Sequence, residues 1–348
     1  IRDYFESNSQ LKNILIVGPG KMGAQLEGSK DFSKQFMLRH HIPTAKARTF
    51  FSHQTKEAQQ YIESFAPPIV LKADGLAAGK GVVISNSIVE AKTEIQEMLE
   101  EKKFGEASSK VLVEEFLDGI ELSVFVLTDG KDYVILPEAK DYKRIGDQDT
   151  GPNTGGMGSV SPVPFANQSF MKKVEEKVIK PTINGLKKDN IHYQGFIFIG
   201  LMKVNDEPYV IEYNARMGDP ETQSVIARIK SDFVELLIAC AKGELKNHSI
   251  EIDPAFAVTV VMAAGGYPEK YEKGKVISGL DNTITKDFHA GTKINGNEIL
   301  TDGGRVLAIT GKGKTLNEAI NDSYNSVKKI SWENSYYRKD IGQDLLKF

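Results

Sequence analysis

Residues 67–84 limit the fold of this chain more than any other segment. Pro67-Pro68 stops the helical pattern before it, and Ile69–Ala73 then reads as an apolar strand interrupted by one charge, Lys72. Asp74–Gly81 follows as a glycine-rich loop, and Val82-Val83-Ile84 resumes the strand pattern. Side chains alternate across a strand, so Lys72 shares a side with Val70, away from Ile69 and Leu71. A lysine buried among Ile, Val and Leu is costly unless an anion meets it. The loop has what a phosphate cradle needs. Gly75, Gly79 and Gly81 let backbone N–H groups approach an anion, and Lys72 and Lys80 neutralise it. It is not a Walker A loop, because only three residues separate Gly75 from Gly79 and no Ser or Thr follows Lys80. The alternative is an edge strand carrying a solvated lysine.

Strand and helix patterns mix along the whole chain, which predicts an α/β or α+β fold. Strands are expected at Asn13–Val17, Val111–Leu117, Leu122–Leu127 and Ala255–Ala264, and a hairpin at Gly195–Val204 and Pro208–Asn214. Helices are expected from a Ser29 cap to about His40, then at Thr55–Phe65, Ser87–Lys103, Gln168–Lys188, Asp232–Ala241 and Thr315–Lys329.

Composition removes several function classes. The 348 residues carry a formal net charge of −3, against a nucleic-acid binder or a surface that adheres to acidic membranes. Cys240 is the single cysteine, which excludes an internal disulfide framework and a Cys-based zinc site. The six histidines show no H-E-x-x-H pattern, and no apolar run approaches the ~20 residues of a membrane helix. No signal peptide is visible, and a cytoplasmic protein is expected. The chain opens on Ile1 rather than Met, so it is expected to begin inside a longer protein.

Four further patterns carry possible chemistry. Gly18-x-Gly20-x-x-Gly23 has the letters of a dinucleotide fingerprint, but positions 39–54 hold no Asp or Glu for a ribose, and a simple Gly/Pro turn fits better. Lys30 opens a helix, where a cation opposes the macrodipole unless an anion lies alongside. Glu212 and Asn214 share one face of a strand, a spacing that suits Mg²⁺ as well as it suits an ordinary polar face. Arg216 follows as an anion clamp. Val111–Leu117 with Glu121 can present backbone and carboxylate to a nucleoside, or be an ordinary strand end. Together the lysines, glycine loop, Glu/Asn pair and arginine describe nucleotide-phosphate chemistry without a protein nucleophile.

These residues are recognisable in order: LEGSKDF (26–32), VLKADGLAAGKGV (70–82), VEEFLDGIELS (113–123), GDQDTGPNTGGMGSVSP (146–162), IEYNARMGDPETQ (211–223), VVMAAGGYP (260–268), FHAGT (288–292), GGRVL (303–307) and YRKDIG (337–342). The chain resembles the phosphoribosylamine–glycine ligases of the ATP-grasp superfamily, over essentially its whole length. It departs from them in places. Only the last part, through Gly23, of the family's opening glycine-rich βα unit is present; Met217 stands where phenylalanine is usual and Tyr142 where histidine is common. Gly200-Leu201-Met202 also lacks an acid that many ATP-grasp enzymes place there.

The resemblance implies an α+β ATP-grasp fold with a remnant N-terminal domain (1–25), an ATP-grasp domain (26–253, with a mobile lid about 45–117) and a C-terminal mixed domain (254–348). It implies ligation of glycine to 5-phosphoribosylamine through glycyl phosphate, with ATP and Mg²⁺ or Mn²⁺. By the same resemblance Lys30, Lys72, Gly75, Gly79, Lys80 and Gly81 serve the phosphates. Glu114, Phe116 and Leu117 bracket adenine, Glu121 holds ribose, and Glu212 and Asn214 hold the metal. Arg216 and Asp219 are the catalytic candidates, and Asp149, Asn153, Thr154, Gly155 and Gly156 take the acceptor side. The partners implied are these small molecules, without nucleic acid or membrane, and the oligomeric state is open. Two rival readings are another ATP-grasp carboxylate–amine ligase and a nucleotide-binding fragment. Because the opening unit is short, the expectation is ATP binding with poor product formation.

Overall fold

The computed structural model describes residues 1–75 and 81–348. Its centre is a four-stranded antiparallel sheet in the order Glu207–Asn214, Gly195–Val204, Ile120–Thr128, Tyr133–Ile135. The hairpin at 195–214 forms as expected, two residues turning at Asn205-Asp206, both with positive φ. Apolar side chains line both faces of this sheet. On one, Phe125 and Phe198 meet edge-on with centroids 5.2 Å apart, and helix Phe233–Lys242 covers them with Leu236, Ala239 and Cys240. On the other, Leu122, Val124, Ile197 and Ile199 join the main core with Phe170, Val174, Val178 and Ile183. The latter four lie on the expected 168–188 helix, whose middle turn, Glu175–Ile179, is a π-helical insertion.

A second sheet crosses the expected boundary at residue 254. Its order is Lys286–His289, Arg305–Gly313, Phe256–Ala263, Gly158–Ser161, Lys140–Asp141. Strand Gly158–Ser161 pairs with Phe256–Ala263 along its whole length, so the C-terminal part is built onto the preceding part through a shared ladder. Helix Leu316–Val327, capped by Thr315 and Glu318, packs on this sheet.

A third sheet stands apart, in the order Ala47–Phe51, Lys110–Glu115, Ile69–Ala73, Val82–Ser85. Helices Thr55–Ile62 and Ile88–Leu99 cover one face. Ile69, Leu71 and Ala73 point into a core that draws only on residues 50–113 (Phe50, Ile62, Ile95, Met98 and Val113 among them). Val70 and Lys72 therefore lie on the opposite face, as strand alternation requires.

One expected strand is absent. Asn13–Val17 forms turns and extended chain without a ladder, and Ile14 and Leu15 are about half exposed, at 51% and 50%. Apolar composition favours a strand only where neighbouring strands take up its N–H and C=O groups, and among the described residues none lies alongside. The segment is instead held from the side: the Arg2 guanidinium donates to the carbonyls of Ile16 (3.2 Å) and Gly18 (2.9 Å) and to Gln194. The glycine fingerprint letters at 18–23 thus follow no strand. The Gly18 N–H donates to Gln194 O at 2.8 Å, a long-range backbone contact.

Candidate active site

Three elements converge between the third sheet and the central one: helix Lys30–Arg39, strand Ile69–Ala73 and strand Glu207–Asn214. Ser29 caps the helix, its hydroxyl accepting from Phe32 N at 3.1 Å. The anion wanted at this N-terminus is Asp74, whose Oδ1 accepts from Asp31 N at 2.7 Å and from Ser29 Oγ at 2.9 Å. Lys30 Nζ donates to Gly75 O at 3.2 Å, so the helix start and the start of the glycine loop are bound together. Burial lowers the Lys30 pKa, while the negative charge of Glu212, Asp74 and Glu114 works in the other direction.

Lys72 is buried, and its anion is internal. Its Nζ lies 2.7 Å from Glu114 Oε2 and donates to Ile211 O at 3.2 Å. Lys34, which sequence reading passed over, lies 3.0 Å from Glu114 Oε1. Glu114 is only 3% exposed. Burial pushes its pKa up, but Lys72 and Lys34 together outweigh that and hold it below the usual value. This corrects one expectation: the burial of Lys72 does not by itself demand a phosphate. The Glu114 side chain faces two ammonium groups. What Glu114 has left for a base is its backbone. The strand ends at Glu115, so the exposed Phe116 and half-buried Leu117 lie in the link to Ile120–Thr128 instead of within the strand. Gly79 and Lys80 lie outside the described residues; Gly81 is placed, its O accepting from Ala73 N at 2.7 Å.

Glu212 and Asn214 face the same way, opposite Gly200 and Phe198 of the neighbouring strand, and both are half-buried. A carboxylate and an amide oxygen side by side are hard ligands suited to Mg²⁺ or Mn²⁺. Among the described residues no group of three or more His, Cys, Asp or Glu side chains is placed to hold a metal ion. Two protein ligands completed by phosphate and water oxygens is the arrangement Mg²⁺ favours, so the residues fit the group.

Beside this pair Glu121 meets two residues, Asp141 and Lys143, that lie outside the quoted motifs and that sequence reading did not single out. Lys143 pairs with Glu121, the ribose candidate, and lies 4.0 Å from Asp141 Oδ2. Burial opposes the Lys143 charge, yet Asp141, Glu121 and Glu212 raise its pKa well above the ordinary range. Burial pushes Asp141 up to about 6. It also pushes Glu221 up to about 8, with the Asp141 charge adding to the effect; Glu221 Oε1 accepts from Ser123 Oγ at 3.3 Å.

Arg216 is 58% exposed and bonded to Glu27 Oε1 at 3.1 Å through Nε, while Glu27 Oε2 accepts from Ala215 N at 2.9 Å. Glu27, from the LEGSKDF run, so fixes the strand end that carries Glu212 and Asn214. Asp219 is held at both carboxylate oxygens: Oδ2 accepts from Arg305 Nη2 at 2.8 Å and Oδ1 from Gln223 Nε2 at 3.0 Å. The acceptor loop is tied down by C-terminal side chains. Asp149 Oδ1 accepts from the buried Arg338 (1% exposed) at 2.7 Å. Thr154 Oγ1 donates to Lys143 O, and Gly155 N donates to Tyr267 OH at 2.9 Å. Gly156 has φ +112° and a Cβ there would meet Pro220 Cδ at 2.4 Å, so glycine is required. Asn153 is exposed in the short strand Thr150–Asn153. Tyr142, at the family's usual histidine position, is buried, accepts from Gly342 N at 3.0 Å and donates to Asp344.

Comparison with known proteins bears on this arrangement. The family model for the phosphoribosylglycinamide synthetase ATP-grasp (A) domain matches residues 28–222, and that for its C domain matches 257–344. Phosphoribosylamine–glycine ligase of Fusobacterium nucleatum is 44% identical over 347 residues, 98% of this chain and 80% of that protein. The one of Yersinia pestis is 46% identical over 334 residues, 94% of this chain and 78% of that protein. The crystal structure of phosphoribosylamine–glycine ligase from Thermotoga maritima superposes with TM-score 0.88 at 38% identity, covering 98% of this chain and 84% of that one. A biotin carboxylase from Campylobacter jejuni shares the fold alone, at TM-score 0.72 and 16% identity over 97% of this chain and 74% of that one.

Proposed function

The chain belongs to the phosphoribosylamine–glycine ligase family, an ATP-dependent carbon–nitrogen ligase of purine biosynthesis, and from that premise we propose how its residues divide the work. The observation that carries the reading is the meeting of Lys30, Lys72 and the Glu212/Asn214 pair at one place, from three elements distant in sequence. Glycine's carboxylate must approach a polyphosphate, so charge neutralisation and positioning dominate the chemistry.

Lys30 and Lys72 neutralise the ATP phosphates. Lys72 reaches them by exchanging its Glu114 contact for a phosphate oxygen, and Lys34 keeps Glu114 compensated meanwhile. Backbone groups from Glu114 to Leu117, with the Phe116 ring, take the adenine. Glu121, held by Lys143, takes the ribose. Glu212 and Asn214 hold Mg²⁺ or Mn²⁺, which when bound offsets phosphate charge and fixes the γ-phosphoryl group. Arg216 orients the glycine carboxylate. A carboxylate oxygen attacks the γ-phosphorus and ADP leaves, giving glycyl phosphate. The amine of phosphoribosylamine then attacks the acyl carbon, phosphate leaves with the former carboxylate oxygen, and the amine loses one proton. The module from about 45 to 117, with its separate core, acts as a lid that keeps water from the acyl phosphate. We place the N-terminal remnant at 1–25, the ATP-grasp domain at 26–253 and the C-terminal domain at 254–348, and the enzyme in the cytoplasm.

The test is ATP consumption by this chain with glycine and phosphoribosylamine supplied together or singly. Glycinamide ribonucleotide and ADP formed one for one, and only with both acceptors and Mg²⁺ present, is the expected result. ATP turnover indifferent to glycine would overturn the reading.

A further inference from the structure

Arg305 occupies a junction that none of the assigned roles explains. It begins strand Arg305–Gly313, far in sequence from the loop and the turn it touches. Its Nη1 donates to Gly155 O at 2.8 Å and to Asp219 O at 2.8 Å, with Gly156 O at 3.4 Å. Its Nη2 donates to Asp219 Oδ2 at 2.8 Å. One planar guanidinium thus joins the acceptor loop to the Asp219–Pro220 turn, a fork that an ammonium does not reproduce.

The glycine at 155 follows from this contact. A Cβ there would lie 2.9 Å from Arg305 Cζ and 3.0 Å from Nη2, so the guanidinium packs directly on the Gly155 backbone. Asp219 is held in place by Arg305 and Gln223.

We propose that Arg305 is a positioning residue for the acceptor half of the reaction. It locks residues 154–156 against the Asp219–Pro220 turn, and phosphoribosylamine enters the space whose wall they form. The proposal rests on the acceptor side being where it is placed above. Among the described residues Arg305 contacts none assigned to the nucleotide, so its loss is expected to read out on the acceptor and not on ATP.

The experiment compares wild type with Arg305→Met, Arg305→Lys and Gly155→Ala. For Arg305→Met the expected result is a KM for phosphoribosylamine raised at least tenfold, with the Kd for a non-hydrolysable ATP analogue within twofold of wild type. Arg305→Lys restores part of that loss. Adding Gly155→Ala to Arg305→Met costs less than Gly155→Ala alone, because the group it collides with is gone. Amide hydrogen exchange at residues 147–158 is faster in Arg305→Met. An unchanged acceptor KM, a nucleotide affinity lost in the same proportion, or unchanged exchange in that loop overturns the proposal. Should Arg305→Met fail to fold, Arg305→Lys against wild type decides it by the same readings. Absence of product from wild type contradicts the ligase reading instead, and the exchange comparison, which needs no turnover, still decides the role of Arg305.

Discussion

Lys72 Nζ lies 2.7 Å from Glu114 Oε2, and the same carboxylate meets Lys34 at 3.0 Å through its other oxygen. Two buried ammonium groups therefore share one carboxylate between the nucleotide candidates and the core of the 47–115 module. Removing the carboxylate leaves both uncompensated, and breaking a buried pair costs about 3–5 kcal/mol. Glu114→Gln is expected to lose stability on that scale, read by denaturant unfolding, and to lose ATP affinity as well. A loss below about 1 kcal/mol would show that solvent already screens the triad.

The acid response follows from the same group. Its folded pKa lies below the unfolded value, so its contribution is complete above the ordinary carboxylate range and is lost as pH falls through the lowered folded value. Protection factors in residues 47–115, corrected for the intrinsic exchange rate at each pH, are expected to fall below about pH 4, and the pH dependence is expected to flatten in Glu114→Gln. An identical acid profile in the variant would remove the triad from the explanation.

Glu221 behaves in the opposite sense. Its folded pKa is pushed up to about 8, so its stabilising share is complete below the unfolded value and is lost as pH rises through about 8. Glu221→Gln mimics the protonated acid. Between pH 5 and pH 9 the stability difference is expected to move in favour of the variant by more than about 1.4 kcal/mol, the equivalent of a tenfold change in proton affinity. A difference that is constant across that range would mean that Glu221 ionises freely in the folded protein.

The proposed metal pair gives a separate prediction. Glu212→Gln keeps the strand pairing opposite Gly200 but removes the one anionic charge of the pair. The Mg²⁺ concentration for half-maximal ATP turnover is expected to rise at least tenfold, with thermal unfolding little changed. Unchanged turnover at limiting Mg²⁺ would place the metal elsewhere.

What the sequence made legible was mostly local. The strand Ile69–Ala73, the Ser29 cap and the 195–214 hairpin each announce themselves within a few residues, through alternation, capping chemistry and turn residues. Strand alternation also placed Glu212 and Asn214 on one strand face. Asn13–Val17 misled because its apolar composition says nothing about whether a neighbouring strand is present to pair with it. The Lys34–Glu114–Lys72 triad and the Arg305–Asp219 pair were not legible, since the paired partners are 42 to 86 residues apart and only the packed fold brings them together. Arg305 and Glu27 did lie inside quoted motifs, so the signal was their presence in GGRVL and LEGSKDF rather than any spacing.

The central claim is that this site joins glycine's carboxylate to the γ-phosphoryl group before the amine arrives. Glycine labelled with ¹⁸O in its carboxylate tests it most directly, by mass analysis of the inorganic phosphate released during glycinamide ribonucleotide formation. The account predicts one ¹⁸O atom in each phosphate, carried over when the acyl–oxygen bond breaks. Phosphate free of the label, with product still formed, would contradict it.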